Sequence, residues 1–410
     1  MDRLLLLLPT TTYRTEDFVA AATALGVDLV CASEAPSAVE ALAPDNLITL
    51  DFADPDGAAT DVARFAGSRP LRAVIGVDDR TSVAAAAVAA RLGLRANSIA
   101  SAAAARNKHL LRERLATAGV RQPSFRLVRV DGDLRAAART VDYPCVIKPL
   151  TLSASRGVIR ADDPAEFARA VARICAILER PDIAVGVDGR HALLVEQFVP
   201  GTEVALEGLL TEGDLRVLAL FDKPDPLVGP YFEETIYVTP SRLPDEVQKA
   251  IAETARAACA ALGLAEGAVH AELRVNDEGP WVIEVAARSI GGLCSRTLRF
   301  GTGMTLEELI VRHALGWPLP STDRDGRAAG VMMIPIPRAG RLRAVRGVEA
   351  AKDAAHVEDV VISAHPGQEL VPLPEGWQYL GFIFARATTP GEVEAALRAA
   401  HARLDFDIDD

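Results

Sequence analysis

Two glutamates, Glu272 in HAELRV and Glu284 in WVIEVAAR, combine residue type and spacing in a way that allows chemistry. They fall on two strand-like runs, residues 268–275 and 280–286, joined by a tight turn at 276–279. Two carboxylates on one face of a hairpin suit Mg²⁺, a hard cation that takes oxygen ligands and leaves room for phosphate and water. Strand glutamates are more often solvated surface. Glu284, however, sits among Ile283, Val285 and Ala286, and a carboxylate buried in such a run needs a partner. Arg288 lies four residues after Glu284 and opens the segment RSIGG. A guanidinium there suits a transferring phosphoryl group and a developing oxyanion; a structural ion pair to Glu284 or Glu272 is the alternative. Gly291 and Gly292 let backbone approach a ligand closely, or form a plain turn. His270, two residues before Glu272, shares its strand face. It is placed to contact substrate or phosphate, or to be a hydrogen-bonded core histidine.

Upstream lie two lysines. Lys148 ends a strand-like run and precedes Pro149; Lys108 stands in a charged helical patch with Arg106, Asn107 and Arg112. An inward lysine at a strand end calls for an anion. As a set with the paired acids, the lysines read as point charges for the phosphates of a nucleotide that Mg²⁺ would bridge. Between them and the acids comes a polar tip with Ser153, Ser155, Arg156 and Gly157. Hydroxyls, amides and an arginine there can cover outer phosphates; a flexible linker is the other reading. No Walker motif occurs in the chain. Glu196, Gln197, Phe198 and Val199 end a strand at Pro200-Gly201, and their backbone suits an adenine edge; Glu203 suits ribose hydroxyls. Residues 222–241 form an irregular acidic segment in which Glu233 or Glu234 can meet a substrate ammonium and Tyr231 or Phe232 can pack on its side chain.

The elements that must position these residues alternate early in the chain. Strand-like runs at 4–8, 28–32, 46–50 and 71–77 interleave with helical spacing at 17–25 and 82–92, the pattern of a small parallel sheet flanked by helices. No G-x-G-x-x-G follows the first run, which disfavours a dinucleotide site there. A helix is expected over 100–118, a hairpin with a polar tip between 143 and 159, and a helix over 164–178. Strands follow at 192–199, 203–210 and 215–221, and an amphipathic helix at 245–262. After the hairpin of the two acids come a helix at 306–315, strands at 330–336, 357–363 and 379–385, and a final helix at 390–404. Four units result: an α/β unit over 1–100, a small α+β unit over 101–190, a larger one over 191–320 and a C-terminal α+β unit over 321–410.

Composition narrows the class. The chain has 410 residues, is half hydrophobic, and carries a net charge of −12, which argues against nucleic acid or an anionic membrane as the main partner. Its 5 cysteines are odd in number and widely spaced, against both a disulfide framework and a zinc site. The apolar run at 4–8 is too short for a membrane span or signal core, so a cytoplasmic protein is expected.

The ordered set of motifs resembles the ATP-grasp superfamily over roughly residues 1–320. It runs from Asn107-Lys108 through VIKP at Lys148, SRGV from Ser155, VEQFVPGTE from Val195 and HAEL around Glu272 to IEVAAR around Glu284 and Arg288. Within it the chain is similar to the L-amino-acid ligases, or dipeptide synthases. Where many ATP-grasp enzymes carry E-x-N-x-R, Ala286 replaces the asparagine. The segments RSIGG, GMTLEELIVRHALG, GRLRAVRG and HPGQEL fit the same branch. The resemblance implies an ATP-grasp fold behind an N-terminal Rossmann-like unit. It further implies a ligase that activates a carboxylate as an acyl phosphate and couples it to an amine, with amino acids as substrates. Lys108 and Lys148 would bind ATP phosphates, Glu203 the ribose, and Glu196 with Phe198 the adenine edge. Glu272 and Glu284 would hold one or two Mg²⁺ ions (Mn²⁺ as substitute), and Arg288 would stabilise the acyl phosphate. A homodimer is a family-level expectation. Two alternatives stay open: another ATP-grasp enzyme, such as a carboxylase or purine-pathway synthetase, and a nucleotide-binding regulator without catalysis.

Overall fold

The computed structural model describes residues 2–37, 40–67, 69–183 and 187–409. Its first sheet holds β1 (Arg3–Leu7), β2 (Asp28–Ser33), β3 (Leu47–Thr49) and β4 (Ala73–Gly76), all parallel in the order β3-β2-β1-β4. Every residue of β1 is buried, which explains the unbroken leucine run: a central parallel strand has core on both faces. Around it pack α1 (Thr15–Ala24), α2 (Pro55–Ala66) and α3 (Asp79–Leu92). Helix α2 was not expected from hydrophobic spacing; alanines make most of its buried face, and its start is marked by Asp54 capping Gly57 ahead of Pro55. Asp78 closes a capping box with Thr81 at the start of α3. That cap fixes the turn at the carboxyl end of β4.

The helix expected over 100–118 is two helices, α4 (Ile99–Arg106) and α5 (Lys108–Thr117). Asn107 leaves the helical region at φ −96°, ψ 112°, and its side chain accepts the amides of His109 and Leu110. An asparagine side chain competing for backbone donors favours such a cap over a helix interior. The break sets Lys108 on the first turn of a new helix, with its amide bonded to the Leu150 carbonyl.

The second sheet is antiparallel in the order β5-β8-β6-β7, from β5 (Phe125–Arg129), β6 (Cys145–Pro149), β7 (Ile159–Ala161) and β8 (Ala192–Gln197). A short helix, α6 (Leu134–Thr140), and α7 (Pro164–Leu178) cover one face. Helix α7 buries Phe167, Ala170, Val171, Ile174 and Leu178 at helical spacing, its larger side chains contributing roughly 1.5–3 kcal/mol each. The chain between β6 and β7 is the expected polar tip.

The remaining strands are β9 (Thr202–Thr211), β10 (Asp214–Asp222), β11 (Ile236–Thr239), β12 (Gly267–Asn276), β13 (Gly279–Ala286), β14 (Ala328–Ile334), β15 (Gly340–Arg346), β16 (Val357–Ile362), β17 (Glu369–Leu370), β18 (Gly381–Ala387) and β19 (Asp405–Asp409). Eight of them make one sheet, β13-β12-β9-β10-β11-β14-β18-β16, and three make another, β17-β15-β19. Strand β11 lies inside the segment expected to be irregular, and it is the bridge: it pairs with β10 on one side and β14 on the other. The C-terminal strands therefore continue the central sheet, and the boundary drawn at residue 320 falls within one sheet. Helices α8 (Asp245–Leu262), α9 (Leu306–Ala314), α10 (Val348–Lys352) and α11 (Pro390–His401) complete the fold.

Candidate active site

A cavity of about 400 Å³ opens where the two larger sheets, the end of β4 and the loop before β18 converge. Strands β12 and β13 form its floor. Glu272 and Glu284 are direct cross-strand partners there, so they share one face of the sheet, and both line the cavity. Each is met by an ammonium group: Lys108 Nζ lies 3.1 Å from Glu284, and Lys223 Nζ 3.1 Å from Glu272. Two oxygen donors facing a cavity, with cations already drawn to them, fit a hard divalent ion.

Lys223 was not singled out from sequence. Its carboxylate partners are Glu203 at 2.8 Å, Glu272 and Glu234, and burial, which alone would lower its pKa, is overcome by these acids so that it lies well above the usual lysine value. The three carboxylates approach within 4.8 Å of one another; the cation among them is this lysine. Its signal was in the sequence: Lys223-Pro224 repeats the strand-end Lys-Pro of Lys148-Pro149.

Lys148 is held from beneath. Glu196, 3% exposed, lies 2.6 Å from Lys148 Nζ and accepts from Arg112 Nε at 2.7 Å. Burial would raise the Glu196 carboxyl, but the two cations bring it down to about 2. Burial lowers the Lys148 pKa, and Glu196 only partly restores it. The Glu196 side chain is thus committed to positioning a lysine, and its backbone lies in the sheet between Phe125 of β5 and Val146 of β6. Beside it, Val146, Leu227 and Phe232 form a small apolar cluster with Val158 and Phe198 packed on it. This is a slot for a flat, apolar-faced group. Arg274 braces the slot: it lies over the rings of Phe198 and Phe232, bonds Glu203 at 2.9 Å and donates to the Val199 carbonyl at 2.8 Å. Gln197, Phe198 and Val199 all line the cavity.

Arg288 faces Asp79 from the N-terminal unit at 2.8 Å. Burial opposes both charges, yet the pairing holds Asp79 down to about 2 and lifts Arg288 above its ordinary value. Nothing near Asp79 in the sequence indicates a partner 209 positions away. The Arg288 loop is pinned from behind. Buried Arg14 donates to Ser289 Oγ at 2.5 Å and to the Val77 carbonyl at 2.8 Å. Glu207, fully buried, accepts the Ile290 amide at 3.0 Å and lies 3.2 Å from His270 Nδ1. His270 Nε2 is 3.5 Å from Glu272. Burial would lower the His270 pKa, but its two carboxylate neighbours raise it to about 9. Lying between Glu207 and Glu272, His270 links the pinned loop to the strand of Glu272.

The polar tip reaches across the cavity. Ser153 donates to Asp79 at 2.7 Å, and Lys108 Nζ donates to the Leu152 carbonyl at 2.9 Å. Ser155 lines the cavity and, like Ala154, has positive φ, a conformation that surrounding contacts must maintain. Arg156 lines the cavity, but its guanidinium donates to the Glu375 carbonyl at 2.7 Å and to Asp182 at 2.6 Å. Gly157 lies outside the lining and bonds the Pro374 carbonyl through its amide. These two residues tie the tip to the C-terminal unit. Tyr231 and Glu233, expected at the substrate, also lie outside the lining; Arg173 of α7 lies over the Tyr231 ring and donates to its hydroxyl. Glu234, Gly291 and Gly292 do line the cavity.

Three stretches of the chain match known families. Residues 19–94 match the ATP-grasp N-terminal domain, 141–297 the ATP-grasp domain and 332–409 the L-amino acid ligase C-terminal domain 2. Alanine–anticapsin ligase of Bacillus subtilis (strain 168) is 30% identical over 234 residues, 54% of this chain and 49% of that one. Dapdiamide A synthase of Enterobacter agglomerans is 30% identical over 198 residues, 48% of this chain and 45% of that one. The match thus spans about half the length of these curated relatives. The crystal structure of an L-amino acid ligase from Bacillus licheniformis superposes with a TM-score of 0.85 at 28% identity, covering 100% of this chain and 99% of that one. No helix among the described residues is long and apolar enough to cross a membrane.

Proposed function

We infer that this chain, an ATP-grasp protein resembling the L-amino-acid ligases, joins a carboxylate to an amine with cleavage of ATP to ADP and phosphate. The observation that carries the reading is the cross-strand pair Glu272–Glu284 in one cavity with Lys108, Lys148 and Arg288. Adenine fits the apolar slot beside Phe198, with ribose toward Glu203. Lys108 and Lys148 hold the phosphates as point charges. Glu272 and Glu284 would hold Mg²⁺, which when bound neutralises phosphate oxygens and fixes their geometry. Ala286, in place of an asparagine, removes one further possible oxygen ligand for such an ion.

A substrate carboxylate oxygen then attacks the γ-phosphorus, the bond to the ADP oxygen breaks, and an acyl phosphate forms. The amine nitrogen attacks the acyl carbon, its proton passes to solvent, and phosphate leaves. Arg288, fixed by Asp79 and by the pinned loop behind it, faces the charge that develops in both steps. Positioning and charge stabilisation supply the catalysis. Amino acids are the substrates that the likeness to the L-amino acid ligases supports.

The test is ATP-dependent phosphate release across a matrix of amino-acid pairs, with products identified by mass spectrometry. Amide products and matching phosphate are expected, and Glu284→Ala should abolish both. Phosphate release that persists at the normal rate in Glu284→Ala would remove the metal assignment. Release driven by bicarbonate and indifferent to amino acids would replace the ligase reading with a carboxylase.

A further inference from the structure

The cavity wall made by the N-terminal unit and the C-terminal loop differs from the lysine-lined wall. Three of the chain's 5 tyrosines, Tyr13, Tyr237 and Tyr379, line the cavity, together with Trp377. In a chain only 5% aromatic, this is a concentration at one place. The rings are locked to one another. Tyr13 stands edge-on to Trp377 at 6.4 Å and to Phe382 at 5.4 Å, and Tyr379 lies 6.1 Å from Phe382, which is fully buried. Tyr13, Trp377 and Tyr379 are only half-buried; Met333 and Cys294 line the cavity with them. Burial raises the Cys294 pKa, so this thiol is a neutral apolar surface.

The loop that follows Arg288 borders this wall: a Cβ built on Gly292 would lie 3.1 Å from the Phe382 ring. A Cβ built on Gly291 would meet nothing within 4 Å. Charge complementarity for a cationic side chain is also lacking: Glu234, the acid felt by both Tyr379 and Cys294, is already paired with Lys223. Rigid aromatic faces left uncovered beside a reaction centre gain most from contact with a large apolar group.

We propose that one substrate is an amino acid with an aromatic or other large apolar side chain, which lies against Tyr13, Met333, Trp377 and Tyr379 in the space above Gly291. This rests on the ligase reading and names the substrate class of that same site. The wall discriminates by apolar area, and selection of about tenfold or more over alanine follows from several buried methylenes. Small and charged amino acids leave the rings exposed or lose their hydration, and are selected against.

The experiment uses the full chain, ATP, Mg²⁺ and all twenty amino acids in pairs, reading kcat/KM for phosphate release and the mass of the product. Phenylalanine, tryptophan, leucine and methionine should exceed glycine, alanine, aspartate and lysine by about tenfold or more in one of the two positions. Trp377→Ala should raise KM for that amino acid severalfold while KM for ATP stays unchanged. Gly291→Leu, which fills the open space, should reverse the preference toward glycine and alanine. Ligation that proceeds best with small or charged amino acids in both positions would overturn this inference and leave the ligase reading standing. So would a Trp377→Ala chain whose KM for the large amino acid equals the parent's. No ligation with any pair would overturn the ligase reading, and the inference with it.

Discussion

Replacing Glu196 with glutamine keeps the shape of the side chain and removes the charge that Lys148 and Arg112 share. The size of the effect follows from titration. Glu196 titrates at about 2 in the fold against an ordinary 4.5. Its folded pKa is depressed, so its contribution is fully present above pH 4.5 and is lost as pH falls toward 2. At neutral pH that contribution is about 3 kcal/mol. Breaking a buried ion pair by removing one partner costs a similar amount, about 3–5 kcal/mol. Urea denaturation followed by tryptophan fluorescence at pH 7 should show this loss in Glu196→Gln. The difference from the parent should shrink at pH 3, where the parent has given up part of the same stabilisation. A second consequence concerns function. Lys148 already lies below the usual lysine range because it is buried, and without Glu196 it falls further. ATP affinity of the variant should therefore decline between pH 7 and 9 more steeply than that of the parent. An unchanged urea midpoint together with an unchanged pH profile of ATP binding would refute the reasoning, since it would mean that Lys148 is solvated and needs no counter-charge.

Arg288→Lys should cut turnover about a hundredfold or more while ATP still binds, because the planar fork that meets Asp79 and the Ser289 carbonyl is replaced by a point charge; single-turnover phosphate release and equilibrium nucleotide binding separate the two effects. Glu375→Ala should speed nucleotide release a fewfold with little change in folding stability. Arg173 bonds both Glu375 oxygens, at 2.5 and 2.8 Å, and so ties α7, the helix that follows the polar tip and β7, to the C-terminal loop, but the pair is half-exposed and contributes only about 0.5–1 kcal/mol. Stopped-flow displacement of a fluorescent nucleotide measures this, and a release rate equal to the parent's would show that the loop does not restrain α7. Glu207→Gln should lower turnover with Mg²⁺ and ATP saturating, because Glu207 holds the Ile290 amide and His270 together; an unaltered kcat would reduce it to packing.

Much of this protein was readable from local pattern. The leucine run of β1, the hairpin that carries Glu272 and Glu284, and the strand-end Lys148-Pro149 all depend on near neighbours along the chain, where periodicity and turn chemistry act directly. The acids' shared face was not readable in this way: carried on from the turn, the register would set Glu272 opposite Ile283, and a bulge beyond the Leu273–Val282 pair is what brings Glu284 opposite it. Helix α4–α5 shows the limit even at short range: a single asparagine outweighed a helical run because its side chain took two backbone amides.

What the tertiary structure alone decided is which charge meets which. Asp79 reaches Arg288 across 209 positions, Lys108 reaches Glu284 across 176, and Arg173 reaches Glu375 across 202. No local rule bears on such pairs. They exist because sheets stack and strands order themselves so that buried charges find partners, and burial is what makes an unpartnered charge too costly to keep. The same packing drew β11 into the central sheet, set the Glu196 carboxylate against Lys148, and gathered aromatic rings from both ends of the chain into one wall.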